Sequence, residues 1–118
     1  MTHIAAWNTR GLCKPSHQKA LRDLIRDQNL KICASIETRA DFSNLPLICT
    51  RVFGSWSWSS NGLFCTRGTR IVVAWDPIAI DMMLLDLNDQ VMHFYVKIRA
   101  SNKSFFCSFI YAHNNHIL

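Results

Sequence analysis

The fold of this chain is decided by two segments, Trp7-Asn8-Thr9-Arg10-Gly11-Leu12 and Lys31-Ile32-Cys33-Ala34-Ser35-Ile36-Glu37-Thr38. The apolar runs at residues 4–7 and 32–36 predict two short buried strands. Between them, apolar residues recur at helical spacing from Ser16, the predicted N-cap, to about Gln28. Because parallel strands require a crossover connection, we expect the two strands to run parallel, with this helix packed on them.

Each of the two predicted strands ends in a polar side chain, Asn8 after the first and Glu37 after the second. The carboxyl ends of neighbouring strands are where α/β folds place their sites. An amide and a carboxylate brought together there suit a hard, oxygen-liganded cation such as Mg²⁺. The alternative is that Asn8 only begins a turn and that Glu37 is a solvated strand end.

Composition limits the range of folds and partners. The 118 residues predict a single domain, and a hydrophobic fraction of 49% predicts a packed core. Thirteen basic residues against eight acidic ones give a net charge of +5, which weakly favours a polyanionic partner. The basic residues do not form the continuous cluster that is typical of a nucleic-acid-binding tail.

The five cysteines are odd in number and include no Cys-x-x-Cys pair, so a zinc site is not indicated. We predict that all five are reduced thiols and that the protein has no disulfide, as expected of an intracellular protein. The apolar run at the amino terminus is too short for a secretory signal, and no run reaches the length of a membrane span. An intracellular location without membrane attachment is therefore expected, in the cytoplasm or, as the family resemblance given below implies, in the nucleus.

The second half of the chain predicts mainly strands, after a short helix near Leu45 and Ile48. A strand starting at Val52 would carry Trp56 and Trp58 on one face, because side chains alternate along a strand. Residues 69–75 are rich in β-branched side chains and predict a strand covered on both faces. Further strands are predicted at residues 78–87, 91–98 and 105–112, the first two of these being joined by a turn at Asn88-Asp89.

The spaced combination of these segments resembles the opening of the endonuclease/exonuclease/phosphatase family, most closely the branch encoded by plant non-LTR (LINE-type) retrotransposons. The resemblance covers nearly the whole chain. It implies that residues 1–118 form a truncated domain of this family, the N-terminal half of a DNase I-like fold. The fold class would then be α/β (α+β by strict count), a partial two-sheet β-sandwich with flanking helices. The segments that carry the resemblance in the second half are Arg51-Val52-Phe53-Gly54-Ser55-Trp56-Ser57-Trp58, Arg67-Gly68-Thr69-Arg70-Ile71-Val72-Val73-Ala74-Trp75-Asp76-Pro77 and Phe106-Cys107-Ser108-Phe109-Ile110-Tyr111-Ala112-His113-Asn114.

The resemblance also implies roles for individual residues. Glu37 would bind the catalytic Mg²⁺ or Mn²⁺, with Asn8 beside it in the metal and phosphate site. Tyr111, at the end of a strand, would direct its hydroxyl to the scissile phosphate. A half-buried aromatic residue at a sheet edge is the alternative for Tyr111.

Two arginines flank a glycine in Arg67-Gly68-Thr69-Arg70, and guanidinium groups suit phosphates through their planar fork of donors. Beside the Trp56/Trp58 pair they could hold a DNA backbone, although a solvated hairpin end is an equal alternative. The histidines of His113-Asn114-Asn115-His116 are interpreted as solvated or close to phosphate, not as metal ligands. The residues predicted to bind nucleic acid are Arg10, Arg67, Arg70, His113 and Asn114.

The family's second half carries a Gly-Asp-x-Asn motif and a late Ser-Asp-His motif, and this sequence contains neither. The groups that would activate water are then missing, and each such group is typically worth orders of magnitude in rate. We therefore expect the remnant of a Mg²⁺-dependent DNA endonuclease, with little or no activity and with one sheet face and a strand edge exposed. The missing C-terminal half or a reverse transcriptase portion would be its partner. The alternatives are a non-catalytic nucleic-acid-binding fragment and a metal-dependent phosphatase.

Overall fold

A computed structural model describes residues 3–112 of the chain. Two α-helices and seven strands form the described part, with short 3₁₀ turns at Phe42–Asn44 and Gly62–Phe64. In chain order the elements are β1 (His3–Asn8), α1 (Pro15–Asp27), β2 (Leu30–Ala40), α2 (Leu45–Phe53), β3 (Ser57–Ser60), β4 (Thr69–Trp75), β5 (Ile80–Leu87), β6 (Val91–Ile98) and β7 (Lys103–Ile110).

The strands form two sheets. In the first sheet the order is β1-β2-β4-β3, and in the second it is β5-β6-β7. β1 and β2 are parallel, as the crossover helix between them predicts, whereas the remaining pairs are antiparallel. The parallel opening unit followed by antiparallel hairpins is thus confirmed.

Two apolar cores hold the layers together. One lies between the helices and the first sheet and includes Leu21, Val52 and Val72. The other lies between the two sheets, where Ile71 of β4 faces Phe94 of β6. Because alternate residues of β4 enter different cores, this strand is apolar on both faces. The chain is therefore a mixed α/β two-sheet sandwich with its helices on the outer face of the first sheet.

The outer face of the second sheet carries an apolar row that no described residue covers. Met83, Tyr95 and Phe106 are paired side by side across the three strands. Phe106 is 75% exposed, and its ring lies 5.1 Å from that of Tyr95, centroid to centroid. An exposed sheet face of this kind was expected from the sequence, and it is the type of surface that promotes association.

The prediction of a strand starting at Val52 was wrong, because Val52 and Phe53 are the last residues of α2. The buried residues of this helix recur at helical spacing, and this pattern prevails over the strand propensity of its last residues. Trp56 precedes β3, and its ring stacks on Phe53 at 6.4 Å. Trp56 and Trp58 are both partly buried and pack against the core beneath the helices, so they contribute to the stability of the fold.

Ser16 does not cap α1. The helix begins at Pro15, with Lys14 in the N-cap position and no capping side chain. Proline is favoured at the first helical position because its missing N–H would have no partner there. The helix therefore starts two residues earlier than a capping Ser16 would place it.

The five cysteines are all free thiols, as predicted. Burial raises the pKa of Cys33 and of Cys49 to about 12, so both behave as apolar core residues. Within residues 3–112, no helix is both long and apolar enough to cross a lipid bilayer.

Candidate functional site

The loop after β1 runs alongside β2 and brings Asn8 to Glu37. Asn8 is the last residue of β1 and pairs with Ile36, the neighbour of Glu37. The pairing continues through the loop, because the Thr9 amide donates to the carbonyl of Ile36 (2.9 Å) and the Gly11 amide donates to that of Glu37 (2.8 Å). Asn8 and Glu37 therefore meet where the parallel ladder between β1 and β2 ends, as predicted. Glu37 does not end its strand, however, because β2 continues to Ala40.

The backbone of β2 is irregular where it carries the site. Glu37 and Arg39 have φ values of 60° and 57°, in the left-handed region that residues other than glycine seldom adopt. The ladder between β2 and β4 shifts register between Ile36 and Ala40, which spans both residues. Backbone of this kind costs free energy and recurs at functional sites, where surrounding structure holds it in place.

The carboxyl group of Glu37 is held in its ionised form. A hydrogen bond from the Asn8 side chain is the main cause of its lowered pKa, and burial acts in the opposite direction. Hydrogen bonding and ion pairing with Arg39 and the charge of Arg10 lower the pKa further. Asn8 is itself oriented, since its Oδ1 accepts a hydrogen bond from the Arg10 amide (3.1 Å). Arg39 was not among the predicted site residues, because the second strand was expected to end at Ile36 and not to continue to Ala40.

A cleft of about 290 Å³ opens beside Glu37. It unites Glu37 with the predicted residues Arg67, Arg70 and Tyr111, which come from three separate parts of the sequence. Among the lining residues that the structure describes, Glu37 is the only carboxylate, and it is accompanied by three guanidinium groups. The residues that line the cleft are Glu37, Arg39, Arg67, Gly68, Thr69, Arg70 and Tyr111.

The guanidinium of Arg70 lies over the ring of Tyr111, with 4.8 Å between its central carbon and the ring centroid. Its Nη1 donates to the carboxylate of Asp89 at 3.2 Å. Arg67 forms no ion pair within residues 3–112. The cleft therefore combines one arginine that is fixed by neighbours, one that pairs with Glu37, and one that is available to an anion.

The other predicted site residues lie elsewhere. Arg10 lines a neighbouring cleft with Trp7 and His17. Trp58 is paired with Ala74, at the opposite end of β4 from Arg70. The expectation that the tryptophan pair lies beside the two arginines was therefore wrong.

His113 and Asn114 lie outside the described residues. Tyr111, by contrast, is described, and it directly follows the last residue of β7.

The donor atoms at this edge fit part of a Mg²⁺ or Mn²⁺ site. An ionised carboxylate with a neighbouring amide offers hard oxygen ligands, and Mg²⁺ is usually held by one or two carboxylates together with substrate phosphates. Within residues 3–112, no group of three or more His, Cys, Asp or Glu side chains could hold a metal ion. Glu37 would therefore be the anchoring ligand, with Asn8 at its side.

Comparison with known proteins does not assign this chain to a family: no family model matches the sequence, and no curated protein matches it. The site is defined by its own geometry instead. That geometry consists of an ionised carboxylate, an amide that orients it and three arginines around a single cleft.

Proposed function

We propose that this chain carries the cation- and phosphate-binding part of a metal-dependent phosphodiesterase site that acts on DNA. The DNase I-like fold and the resemblance to non-LTR retrotransposon endonucleases belong to the same proposal. The observation that supports it is the meeting of Asn8 and Glu37 where the parallel β1–β2 ladder ends, beside a cleft lined by Arg39, Arg67 and Arg70.

In this proposal each residue has a distinct task. Glu37 holds Mg²⁺, and Asn8 keeps its carboxylate ionised and correctly oriented. Arg67 donates to a phosphate oxygen, and Tyr111, which lines the same cleft, contributes a hydroxyl that can hydrogen-bond the phosphate. When bound, Mg²⁺ supplies charge neutralisation at the phosphoryl oxygens.

Hydrolysis by this chain is expected to be slow or absent. Among the described residues that line the cleft, Glu37 is the only carboxylate, and it would be committed to the cation. Within residues 3–112, no lining histidine or second carboxylate is placed to take a proton from water, a contribution typically worth about 10²–10⁴ in rate. The three arginines meanwhile favour a second candidate function, non-catalytic binding of nucleic acid.

The first experiment measures nicking of supercoiled plasmid with Mg²⁺ or Mn²⁺ and compares the protein with its Glu37→Gln variant. We expect at most a trace of nicking, and we expect the variant to abolish it. Nicking that survives Glu37→Gln would refute Glu37 as the metal-holding residue. A parallel assay with a phosphomonoester tests the phosphatase alternative, which turnover of the monoester without nicking would support.

The second experiment measures binding of a labelled single-stranded oligonucleotide by fluorescence anisotropy over a range of salt concentrations. Arg67→Gln should weaken binding. It should also reduce the slope of the logarithm of the binding constant against the logarithm of the salt concentration by roughly 0.7, the value for one phosphate contact on a single strand. Arg26→Gln is the matched control, because it removes the same charge from the exposed face of α1. Equal effects of the two variants would show that charge alone, and not the cleft, attracts the oligonucleotide.

A further inference from the structure

We infer that Asp89, in the turn between β5 and β6, is a positioning residue that holds the guanidinium of Arg70 ready for a phosphate. The inference rests on the proposed function, since it concerns how the same cleft recognises its anion. In the sequence, Asn88-Asp89 is only a hairpin turn. In the structure, the turn reaches from the second sheet to a strand of the first.

The planar guanidinium group of Arg70 is held by contacts along one of its edges and on one of its flat faces. Its Nη1 donates to both the carboxylate (3.2 Å) and the backbone carbonyl (3.3 Å) of Asp89. The flat face of the guanidinium lies on the ring of Tyr111, an arrangement favoured by cation–π attraction. All hydrogen bonds from this side chain to described residues use Nη1, which leaves the edge formed by Nε and Nη2 for an incoming group. Arginine binds phosphate best through two parallel hydrogen bonds of this kind.

The turn that carries Asp89 is held in place by hydrogen bonds to the residues immediately before and after it, Asn88 and Gln90. The side chain of Asn61, which is fully buried, donates to the carbonyl of Asn88 (3.2 Å). The amide of Tyr111 donates to the carbonyl of Gln90 (2.7 Å). Asp89 thus sits between two fixed residues, and the position of its carboxylate is set by the fold and not by a flexible loop.

Two opposite effects are expected when Asp89 is replaced by alanine. Its negative charge repels a phosphate, so its removal favours binding, although such exposed charges contribute little. The Asp89 carboxylate also orders the Arg70 side chain. Without it, Arg70 is flexible in the free protein and must be immobilised when the phosphate binds, which costs free energy. Because Arg70 is only 27% exposed and already stacked on Tyr111, we expect the ordering effect to dominate.

The test is a double-mutant cycle on oligonucleotide affinity with Asp89→Ala, Arg70→Gln and the combined variant. Asp89→Ala alone should weaken binding by about 2- to 10-fold, the range that corresponds to immobilising one flexible side chain. In the Arg70→Gln background the same substitution should leave affinity unchanged or slightly increase it, because only the repulsion remains to be removed. Asp86→Ala is the matched control, since Asp86 is an exposed carboxylate on β5 whose hydrogen bond is local.

The outcomes are distinguishable. If Asp89→Ala binds as tightly as Asp86→Ala, or more tightly, the positioning role is overturned while the phosphate cleft stands. If the loss persists in the Arg70→Gln background, Asp89 acts through the fold and the inference is also overturned; urea titration of each variant would reveal the same destabilisation. If the unaltered protein binds no oligonucleotide, the proposed function fails, and the inference fails with it.

Discussion

Replacing Gly68 by alanine tests whether the cleft depends on a close backbone contact. Gly68 has a φ of +83°, and a Cβ atom at this position would lie 2.7 Å from the carbonyl oxygen of Arg39 and 2.8 Å from its carbonyl carbon. Backbone atoms cannot turn aside as the end of a flexible side chain can. The segments that carry Arg39 and Arg67 would therefore have to separate, and the cleft between them would widen.

The expected cost has two parts. Left-handed strain at a residue other than glycine costs about 1–3 kcal/mol. Forcing extra atoms into a packed contact costs about 1–3 kcal/mol more. Gly54→Ala is the control, because Gly54 also has a positive φ, +61°, but a Cβ there meets nothing within 4 Å. Gly68→Ala should thus exceed Gly54→Ala by about 1–3 kcal/mol, a large share of the roughly 5–15 kcal/mol typical of a domain.

Urea titration followed by tryptophan fluorescence measures both variants, since Trp56 and Trp58 pack against the helix-covered core and Trp75 against the core between the sheets. The comparison requires similar m values, so that a change in midpoint reports stability. If Gly68→Ala were no more destabilising than Gly54→Ala, the close approach to Arg39 would not constrain the fold. Oligonucleotide affinity provides a second readout, which should fall for Gly68→Ala and not for Gly54→Ala.

Three further predictions concern other parts of the molecule. Asn8→Ala should raise the pKa of Glu37, measured by carboxyl NMR. A depressed carboxyl pKa contributes stability at pH values above the unfolded-state pKa, and this contribution is lost as the pH falls through the folded-state pKa. The variant should therefore lose less stability in acid than the unaltered protein. An unchanged titration midpoint would contradict the role of Asn8. Cys13, which is exposed, should react with a thiol reagent in the native protein, whereas Cys33 should react only on unfolding; simultaneous reaction would contradict the described burial. Phe106→Ser should reduce self-association in light scattering without lowering the urea midpoint, and unchanged scattering would show that the exposed apolar row is not its cause.

The strands that the sequence predicted best are those whose signal is local. Thr69–Trp75 was predicted with its observed bounds, because a run of β-branched residues ends at Asp76-Pro77. The hairpin at Asn88-Asp89 was also predicted, since both flanking strands are apolar and the turn residues are typical. Where two periods competed, as at Val52, the helical spacing that begins at Leu45 was the better guide.

The candidate site was less predictable because most of its contacts are long-range. Asn8 and Glu37 were predicted together because parallel pairing places the ends of the two apolar runs side by side, although β2 itself continues to Ala40. Nothing local to Asp89 indicates that it reaches Arg70, nineteen residues earlier in the chain. The left-handed backbone at Glu37 was equally hidden, because glutamate, unlike glycine or asparagine, carries no sequence signal for it.

In the proposed function, phosphate binding and phosphate hydrolysis depend on different charged groups of the cleft. Glu37 is paired with Arg39, and Arg70 with Asp89, whereas Arg67 has no ionic partner within residues 3–112. In the proposed function, an anion would therefore bind without a cation, because an unneutralised guanidinium is already present. Cleavage would in addition require Glu37 to exchange Arg39 for the cation. It follows that Glu37→Gln should abolish any metal-dependent chemistry while preserving or increasing oligonucleotide affinity, since the substitution frees Arg39. A nucleic-acid-binding module and a weak nuclease would thus differ in one exchange of ion-pair partners on the same scaffold.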